Sequence, residues 1–263
     1  MKNKKITVSL SGGGLRSVAG LGAIKYLEDN GYVIKSISGT SGGAIISYLY
    51  GLGMEVEDIL YFIRNFDKKK IFRPTIKSIF SLNELERKLK EETKLKKTFK
   101  KRIVICTTDL ETGKPVYFDS EKVSKGKMIR AVIASSSIIP FFGAVKINDR
   151  YFVDGGYTDN LPNIVFEGER NIAVNVNNVS KEISFSPIKL TTKLLLTVMN
   201  SNIKEAAKRA DHFINVDTLS EMHLFEFKNM EFAYNEGYRL AKESFELDKK
   251  DDLFKIEYFK SSL

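Results

Sequence analysis

Ser41 lies in Gly39-Thr40-Ser41-Gly42-Gly43, a glycine–x–serine–x–glycine pattern. A serine at the tip of a sharp strand-to-helix turn holds its hydroxyl clear of the backbone, where it can attack a carbonyl carbon. Glycines on both sides relieve the crowding such a turn creates. Val33 to Ser38 reads as a strand, and a helical pattern begins near Ala44 and continues to about Leu52, which is the context the pattern requires. The competing reading is a glycine turn that only packs, or that cradles a phosphate.

A serine nucleophile needs a group to hold the oxyanion and a group to take its proton. Gly12-Gly13-Gly14-Leu15-Arg16 opens the first helix, and consecutive glycines there let several N–H groups converge beside the positive helix end. The rival reading is nucleotide binding, and the spacing argues against it. G-x-G-x-x-G fails at Ser17, no acidic residue ends the second strand, and no Gly-Lys-Ser/Thr is present. For the base, Asp154 follows the apolar Tyr151-Phe152-Val153 and precedes Gly155-Gly156, so its carboxylate emerges at a tight turn. The alternative is His212, which follows Asp154 in the order Ser…Asp…His of α/β-hydrolases. Against that triad, Ser41 comes after only the second strand, early for such a fold; His212 and His223 both read more simply as surface residues.

The elements that must position these groups alternate. Ile6 to Leu10 is a strand ending in glycines, a helix runs from Leu15 to Glu28, and a second strand and helix carry Ser41. Such alternation implies parallel strands joined by right-handed crossovers. Val56–Asn65 and Leu82–Thr93 read as helices on either side of Pro74, and Arg102–Thr107 as a buried strand in which Cys106 packs inertly. Lys125–Ala134 reads as a helix. Val145–Ile147 and Tyr151–Val153 bracket Asn148-Asp149 as a hairpin, with later strands at Ile172–Val176 and Phe213–Val216 and helices near 189–209 and 230–245. With no linker, repeat or low-complexity tract, residues 1–263 are expected to form a single domain.

The chain has 263 residues, 42 Lys and Arg against 33 Asp and Glu, and one cysteine. No intramolecular disulfide is possible, and two histidines with one cysteine are too few for a structural zinc site. The excess of positive charge is local: residues 64–102 hold 15 basic and 5 acidic groups, while the remainder holds 27 and 28. Ile71 to Phe80 alternates bulky apolar residues with bases, which suits contact with an anionic membrane surface. The alternative is a solvated basic face. No nucleic-acid-reading motif accompanies the charge, so no nucleic acid is expected as partner. The opening residues are too short in apolar run for a secretory signal, and no stretch reaches a membrane span, so a cytoplasmic, at most peripherally membrane-bound protein is expected.

Three of these segments together resemble the signatures of patatin-like phospholipases: Ser11-Gly-Gly-Gly-Leu-Arg16, Gly39-Thr-Ser-Gly-Gly43 and Asp154-Gly155-Gly156, in that order. Ala134-Ser135-Ser136-Ser137-Ile138-Ile139-Pro140 and Tyr157-Thr158-Asp159-Asn160-Leu161-Pro162 resemble two softer blocks of the same family, so the likeness runs from Ile6 to Pro162. The resemblance implies a three-layer α/β/α sandwich with a mostly parallel central sheet, and a Ser–Asp dyad that cleaves fatty-acyl esters of phospholipids or other acyl lipids. Ser41 would be the nucleophile and Asp154 the base. The amides of Gly12, Gly13 and Gly14 would form the oxyanion hole, with Arg16 steadying that loop or meeting a lipid phosphate. Neither a cofactor nor a metal is implied. One departure is visible: Ser17 stands where the family usually carries glycine, and is small enough for the loop to survive. Phe141 and Phe142 are candidates for an apolar wall near the site. The contrasting readings are a lipid-binding module without activity and a Ser–His–Asp carboxylesterase.

Overall fold

Lys5–Leu10 (β1) is buried at every residue after Lys5, the pattern of a strand covered on both faces rather than a half-solvated one. The computed structural model describes residues 4–67, 80–96, 98–183 and 186–261. After β1 come a 3-10 turn at Gly14–Ser17, helix α1 (Val18–Asp29), strand β2 (Val33–Gly39), and helices α2 (Gly42–Gly51), α3 (Val56–Arg64) and α4 (Asn83–Leu95). Strands β3 (Arg102–Asp109) and β4 (Pro115–Asp119), helix α5 (Lys125–Ser135) and the hairpin β5 (Val145–Ile147) and β6 (Arg150–Asp154) follow. The chain continues with β7 (Asn171–Asn175), α6 (Pro187–Met199), α7 (Ile203–Arg209), β8 (His212–Asn215) and α8 (Met230–Ser261).

The strands form one sheet in the order β5-β6-β3-β2-β1-β7-β8, with β4 also paired to β3. Across the order β3-β2-β1-β7-β8 all pairings are parallel; β4 and β6 run against these strands, and β5 pairs antiparallel with β6. Helices flank this sheet to give a three-layer α/β/α sandwich. Its two faces differ in chemistry because successive side chains alternate. Ile6, Val8 and Leu10 of β1 join Ile172 and Val174 of β7 in the main apolar core with α1, α2 and α3. On the other face Ala173 packs with Leu161, Ile203 and Ala206. That face also buries a polar network: Asn171 Nδ2 donates to Thr7 Oγ1 and Ser9 Oγ at 3.0 Å, and Ser38 Oγ donates to Ser9 Oγ at 2.9 Å. Burying these hydroxyls and the Asn171 Nδ2 is tolerable because they bond one another, while Asn171 Oδ1 has no partner among the described residues.

One register places the later carboxylate. Strand β3 pairs with β2 from Arg102 to Ile105 and with β6 from Thr107 to Asp109, while β4 pairs with Val104–Thr108. A strand has two hydrogen-bonding edges, so β2 and β6 must share the edge opposite β4. Gly39 faces Ile105 and Asp154 faces Thr107. Asp154 therefore comes in two residues, roughly 7 Å, past the point where β2 ends and turns into Ser41.

Of the basic segment read from sequence, 68–79 lies outside the described residues. The part within α4 is a solvated face laced by ion pairs: Arg87 with Glu84 and Glu91, and Lys90 with Glu86.

Candidate active site

The turn between β2 and α2 holds Ser41 at φ 54°, ψ −122°, a left-handed backbone that a residue with a Cβ adopts only under constraint. The constraint is visible on both sides. The Ser41 N–H donates to Ser135 Oγ at 2.9 Å, and Thr40 Oγ1 donates to the Asp159 carbonyl at 2.9 Å. A Cβ on Gly39 would come within 2.4 Å of the Gly43 carbonyl oxygen, so the turn closes this tightly only with glycine there. Ser41 is also the N-cap residue of α2, where the helix dipole favours developing negative charge.

Asp154 ends β6 and is wholly buried. Its backbone is pinned by the Asp154 N–H to the Ser137 carbonyl at 3.1 Å and by Thr108 Oγ1 donating to the Asp154 carbonyl at 2.8 Å. Oδ1 accepts the Gly156 N–H at 2.8 Å, so the side chain caps the 3-10 turn Gly155–Tyr157. Burial pushes the carboxyl up to about 7, opposed by the Gly156 N–H and more weakly by the Ser41 hydroxyl. Oδ2 makes no hydrogen bond of normal geometry among the described residues. Ser41 and Asp154 are thus within mutual influence without a formed bond, an arrangement that free sites often tighten only around substrate.

The glycine loop lies across the elbow from the base. Gly14, at φ 58°, runs against the Leu224 carbonyl so closely that a Cβ would meet it at 2.4 Å. The Gly12 N–H is already committed, donating to both the carbonyl and Oδ1 of Asn160 at 3.1 and 3.2 Å. Among the described residues the N–H groups of Gly13 and Gly14 have no acceptor, so two of the three expected donors remain open. Ser17, in the departing position, fits: its hydroxyl donates to the Ser11 carbonyl at 3.3 Å.

Arg16 does not stand free for a lipid phosphate. It is buried, and Nε, Nη1 and Nη2 donate to the carbonyls of Met222, Asn178 and Ser220 at 2.6, 2.8 and 2.9 Å. Burial pulls its guanidinium down to about 10, with Glu221 pushing the other way. This side chain ties the glycine loop to two distant segments. Gly155 packs on the Cys106 carbonyl, and Cys106 is a buried thiol whose pKa burial raises well above its ordinary value.

His212 is at the far side. It starts β8, three strands from β2 or roughly 14 Å across the sheet, and at the opposite strand end from Ser41. Its Nε2 pairs with Ser244 Oγ at 3.0 Å and its ring stacks on Phe245. A Ser–His–Asp triad through His212 is therefore ruled out by position. His223 is exposed, on the segment that crosses the glycine loop.

Asn160 is the residue whose part the sequence reading missed, having taken it only as one letter of a softer block. It is buried, and its Nδ2 has no partner among the described residues. The position a Cβ on Gly12 would occupy lies 2.5 Å from Asn160 Oδ1 and 2.9 Å from Ser41 Cβ, so those two atoms are no more than about 5.4 Å apart. The only sequence signal was an Asn-Leu-Pro following the Asp-Gly-Gly turn.

Ser41 and Gly42 open onto a cavity whose walls are almost entirely apolar. Ile45 and Ile46 of α2, Phe62 and Ile63 of α3, Leu85 of α4, and Phe142 line it. Of the expected aromatic wall, Phe142 lines this cavity, whereas Phe141 stacks on Phe80 and faces a neighbouring recess. A hydroxyl at the mouth of an apolar cavity, with open N–H donors and a buried carboxylate beside it, is equipped for acyl transfer from a substrate carrying a hydrocarbon chain.

Comparison with known proteins agrees with this picture. The family model described as patatin-like phospholipase matches residues 8–166. An uncharacterized protein of Acanthamoeba polyphaga mimivirus is 27% identical over 190 residues, covering 64% of this chain and 64% of that one. A probable lipid hydrolase of Invertebrate iridescent virus 6 is 25% identical over 177 residues, covering 59% and 61%. An uncharacterized NTE family protein of Mycobacterium bovis is 26% identical over 183 residues, covering 66% and 49%. The matches span from about half to just under two thirds of the length of these relatives. Among solved structures, VipD from Legionella pneumophila superposes with a TM-score of 0.55 at 12% identity, over 94% of this chain and 67% of that one, a likeness of fold.

Proposed function

Because the chain belongs to the patatin-like phospholipase family, we propose that it is a lipid acyl hydrolase that cleaves fatty-acyl esters through a Ser41–Asp154 dyad. The observation that carries this reading is a serine in a strained turn beside a fully buried carboxylate with one oxygen unpartnered among the described residues. In the first half-reaction Asp154 Oδ2 takes the Ser41 proton as Oγ attacks the ester carbonyl carbon. The N–H groups of Gly13 and Gly14 and the N-terminus of α2 stabilise the oxyanion. Collapse of the tetrahedral intermediate expels the lipid alcohol, which receives the proton from Asp154 and leaves an acyl-Ser41 ester. Water then attacks that ester with Asp154 again as base, releasing a fatty acid and restoring the serine.

The apolar cavity at Ser41 supports a long acyl chain as the group held during this chemistry, since filling it with hydrocarbon removes apolar surface from water on both partners. Phospholipid is the substrate class that the family relationship favours, with contact to an anionic membrane surface as the setting. The test is mass spectrometry of products from a mixed phospholipid extract. Wild type should release free fatty acid and the corresponding lyso-lipid, while Ser41→Ala and Asp154→Asn release neither. Binding of vesicles without any fatty-acid release by wild type would instead support a lipid-binding module without activity.

A further inference from the structure

Helix α6 (Pro187–Met199) departs from the pattern expected of a surface helix, which hides its apolar stripe and shows charge to water. Helix α4 follows that pattern: Leu85 and Leu89 are buried while Lys90 and Glu91 are exposed. Helix α6 is apolar on both sides. Inward, Leu196 and Met199 are buried against Ile138 and Leu224, two residues that also line the cavity at Ser41. Met199 Cε comes within 3.1 Å of where a Cβ on Gly156 would stand, so this face lies one residue layer from the Asp154 turn. Outward, Leu190, Leu194 and Val198 are 39%, 59% and 51% exposed. Their spacing of four residues places them in one stripe along the helix. Single exposed leucines need no explanation, but a continuous stripe does.

Charge indicates what the stripe meets. Helix α6 contains Lys189 and Lys193 and no acidic residue. Both lysines flank the stripe on the same side, and Lys193 Nζ also donates to the Glu182 carbonyl at 2.6 Å. The recess behind the helix is lined by Lys189, Lys193 and Leu196 on one side and by Leu224 and Phe225 on the other, with Glu182, Glu221 and Glu226 also on its wall, so the positive charge belongs to the helix and not to the recess as a whole. Leu224 and Phe225 belong equally to the apolar cavity at Ser41, so the two spaces adjoin. Three side chains on a helix roughly 20 Å long cover much less than the ~800 Å² per partner of a stable protein interface. They are enough for a helix that lies in the plane of a bilayer and sinks its apolar face among the acyl chains.

We propose that the outer face of α6 is the surface by which this protein docks on an anionic lipid bilayer. Leu190, Leu194 and Val198 enter the interface and Lys189 and Lys193 meet lipid phosphates, which turns the adjoining recess and the cavity at Ser41 towards the lipid. The inference rests on the reading of the chain as an acyl-lipid hydrolase, and it places docking on an element separate from the basic segment at 64–102.

Binding is measured in the Ser41→Ala background, so that it is independent of hydrolysis, on vesicles of phosphatidylcholine with phosphatidylserine. The triple change Leu190→Ser, Leu194→Ser and Val198→Ser should lower the partition onto these vesicles by roughly tenfold or more. In the active background the same triple change should leave kcat/KM for a soluble short-chain ester within about twofold of wild type. The chain contains no tryptophan. A Leu194→Trp variant is therefore a single reporter whose emission should shift to the blue when vesicles are added. Unchanged partition of the triple variant, or unchanged emission at saturating lipid, overturns the proposal. So does a wild type that is dimeric without lipid and becomes monomeric on the triple change, because a second copy would then be the occupant. Vesicle binding through α6 with no ester hydrolysis by wild type would remove the hydrolase reading and leave the docking surface standing.

Discussion

Replacing Asp154 with asparagine should abolish ester hydrolysis and at the same time stabilise the protein at alkaline pH. The carboxyl sits at about 7 because it is wholly buried, with only the Gly156 N–H and the Ser41 hydroxyl favouring its ionised form. Relative to an ordinary aspartate near 3.9, that shift corresponds to about 4 kcal/mol of preference for the neutral acid. For a carboxyl raised in the folded state, the associated stability is fully present below the unfolded-state pKa and lost as pH rises through the folded one. At pH 8 the native protein therefore carries a buried carboxylate at a cost of up to about 4 kcal/mol, which the neutral amide avoids. Asparagine can keep the Gly156 bond through Oδ1 and present Nδ2 to Ser41, so the shape is preserved. Urea titrations of wild type and Asp154→Asn at pH 5 and pH 8 measure the effect, with the gap in favour of the variant widening at pH 8. In parallel, wild-type kcat/KM on a soluble ester should fall with an apparent pKa near 7, reaching about a tenth of its plateau one pH unit lower. A rate that is flat from pH 5 to pH 8, together with a variant no more stable than wild type at pH 8, would refute the argument that this carboxyl is both strained by burial and used as the base.

Three further outcomes follow from particular contacts. Asn160→Ala removes a buried amide beside Ser41 whose Nδ2, without a partner among the described residues, is available as a donor to the oxyanion; kcat on a soluble ester should fall by about 10- to 100-fold with little change in KM. Arg16→Ala strands the buried carbonyl of Met222 and the half-buried carbonyls of Asn178 and Ser220. It should lower stability by about 3 kcal/mol or more in denaturant titration, whether or not the substrate carries a phosphate. Ile45 lines the cavity at Ser41, so Ile45→Phe should shift the preference of the enzyme towards shorter acyl esters, read from kcat/KM across a series of chain lengths.

The parts of this fold legible from sequence were those written locally. Alternating glycine turns and apolar runs located β1, α1, β2 and α2 within a residue or three, and the Asn148-Asp149 hairpin was visible because its turn residues carry their own backbone preference; Asn148 indeed sits at φ 53°. Strand β4 was missed. Pro115-Val-Tyr-Phe-Asp119 is short, begins with proline, and becomes a strand only by pairing with β3. The approach of Asp154 to Ser41 was likewise invisible as geometry, because it depends on β6 taking over the edge of β3 where β2 stops. Position along the chain also could not show that Arg16 spends its donors on three backbone carbonyls, or that Gly12 is held by Asn160, since each partner lies more than 140 residues away. The interfacial reading of Ile71–Phe80 rests on residues of which all but Phe80 lie outside the described ones, and Phe80 itself stacks on Phe141 beside the recess behind α6.

The central claim is that Ser41 carries the acyl group during turnover, and trapping that ester tests it most directly. Wild-type protein mixed with a long-chain acyl ester at pH 8, quenched in acid within the first turnovers and digested, should yield the Ser41 peptide bearing the mass of the acyl group. Ser41→Ala should yield no acylated peptide and release no fatty acid, and Asp154→Asn should acylate at only a trace of the wild-type rate. Acylation of a different residue, or undiminished fatty-acid release by Ser41→Ala, would contradict the account.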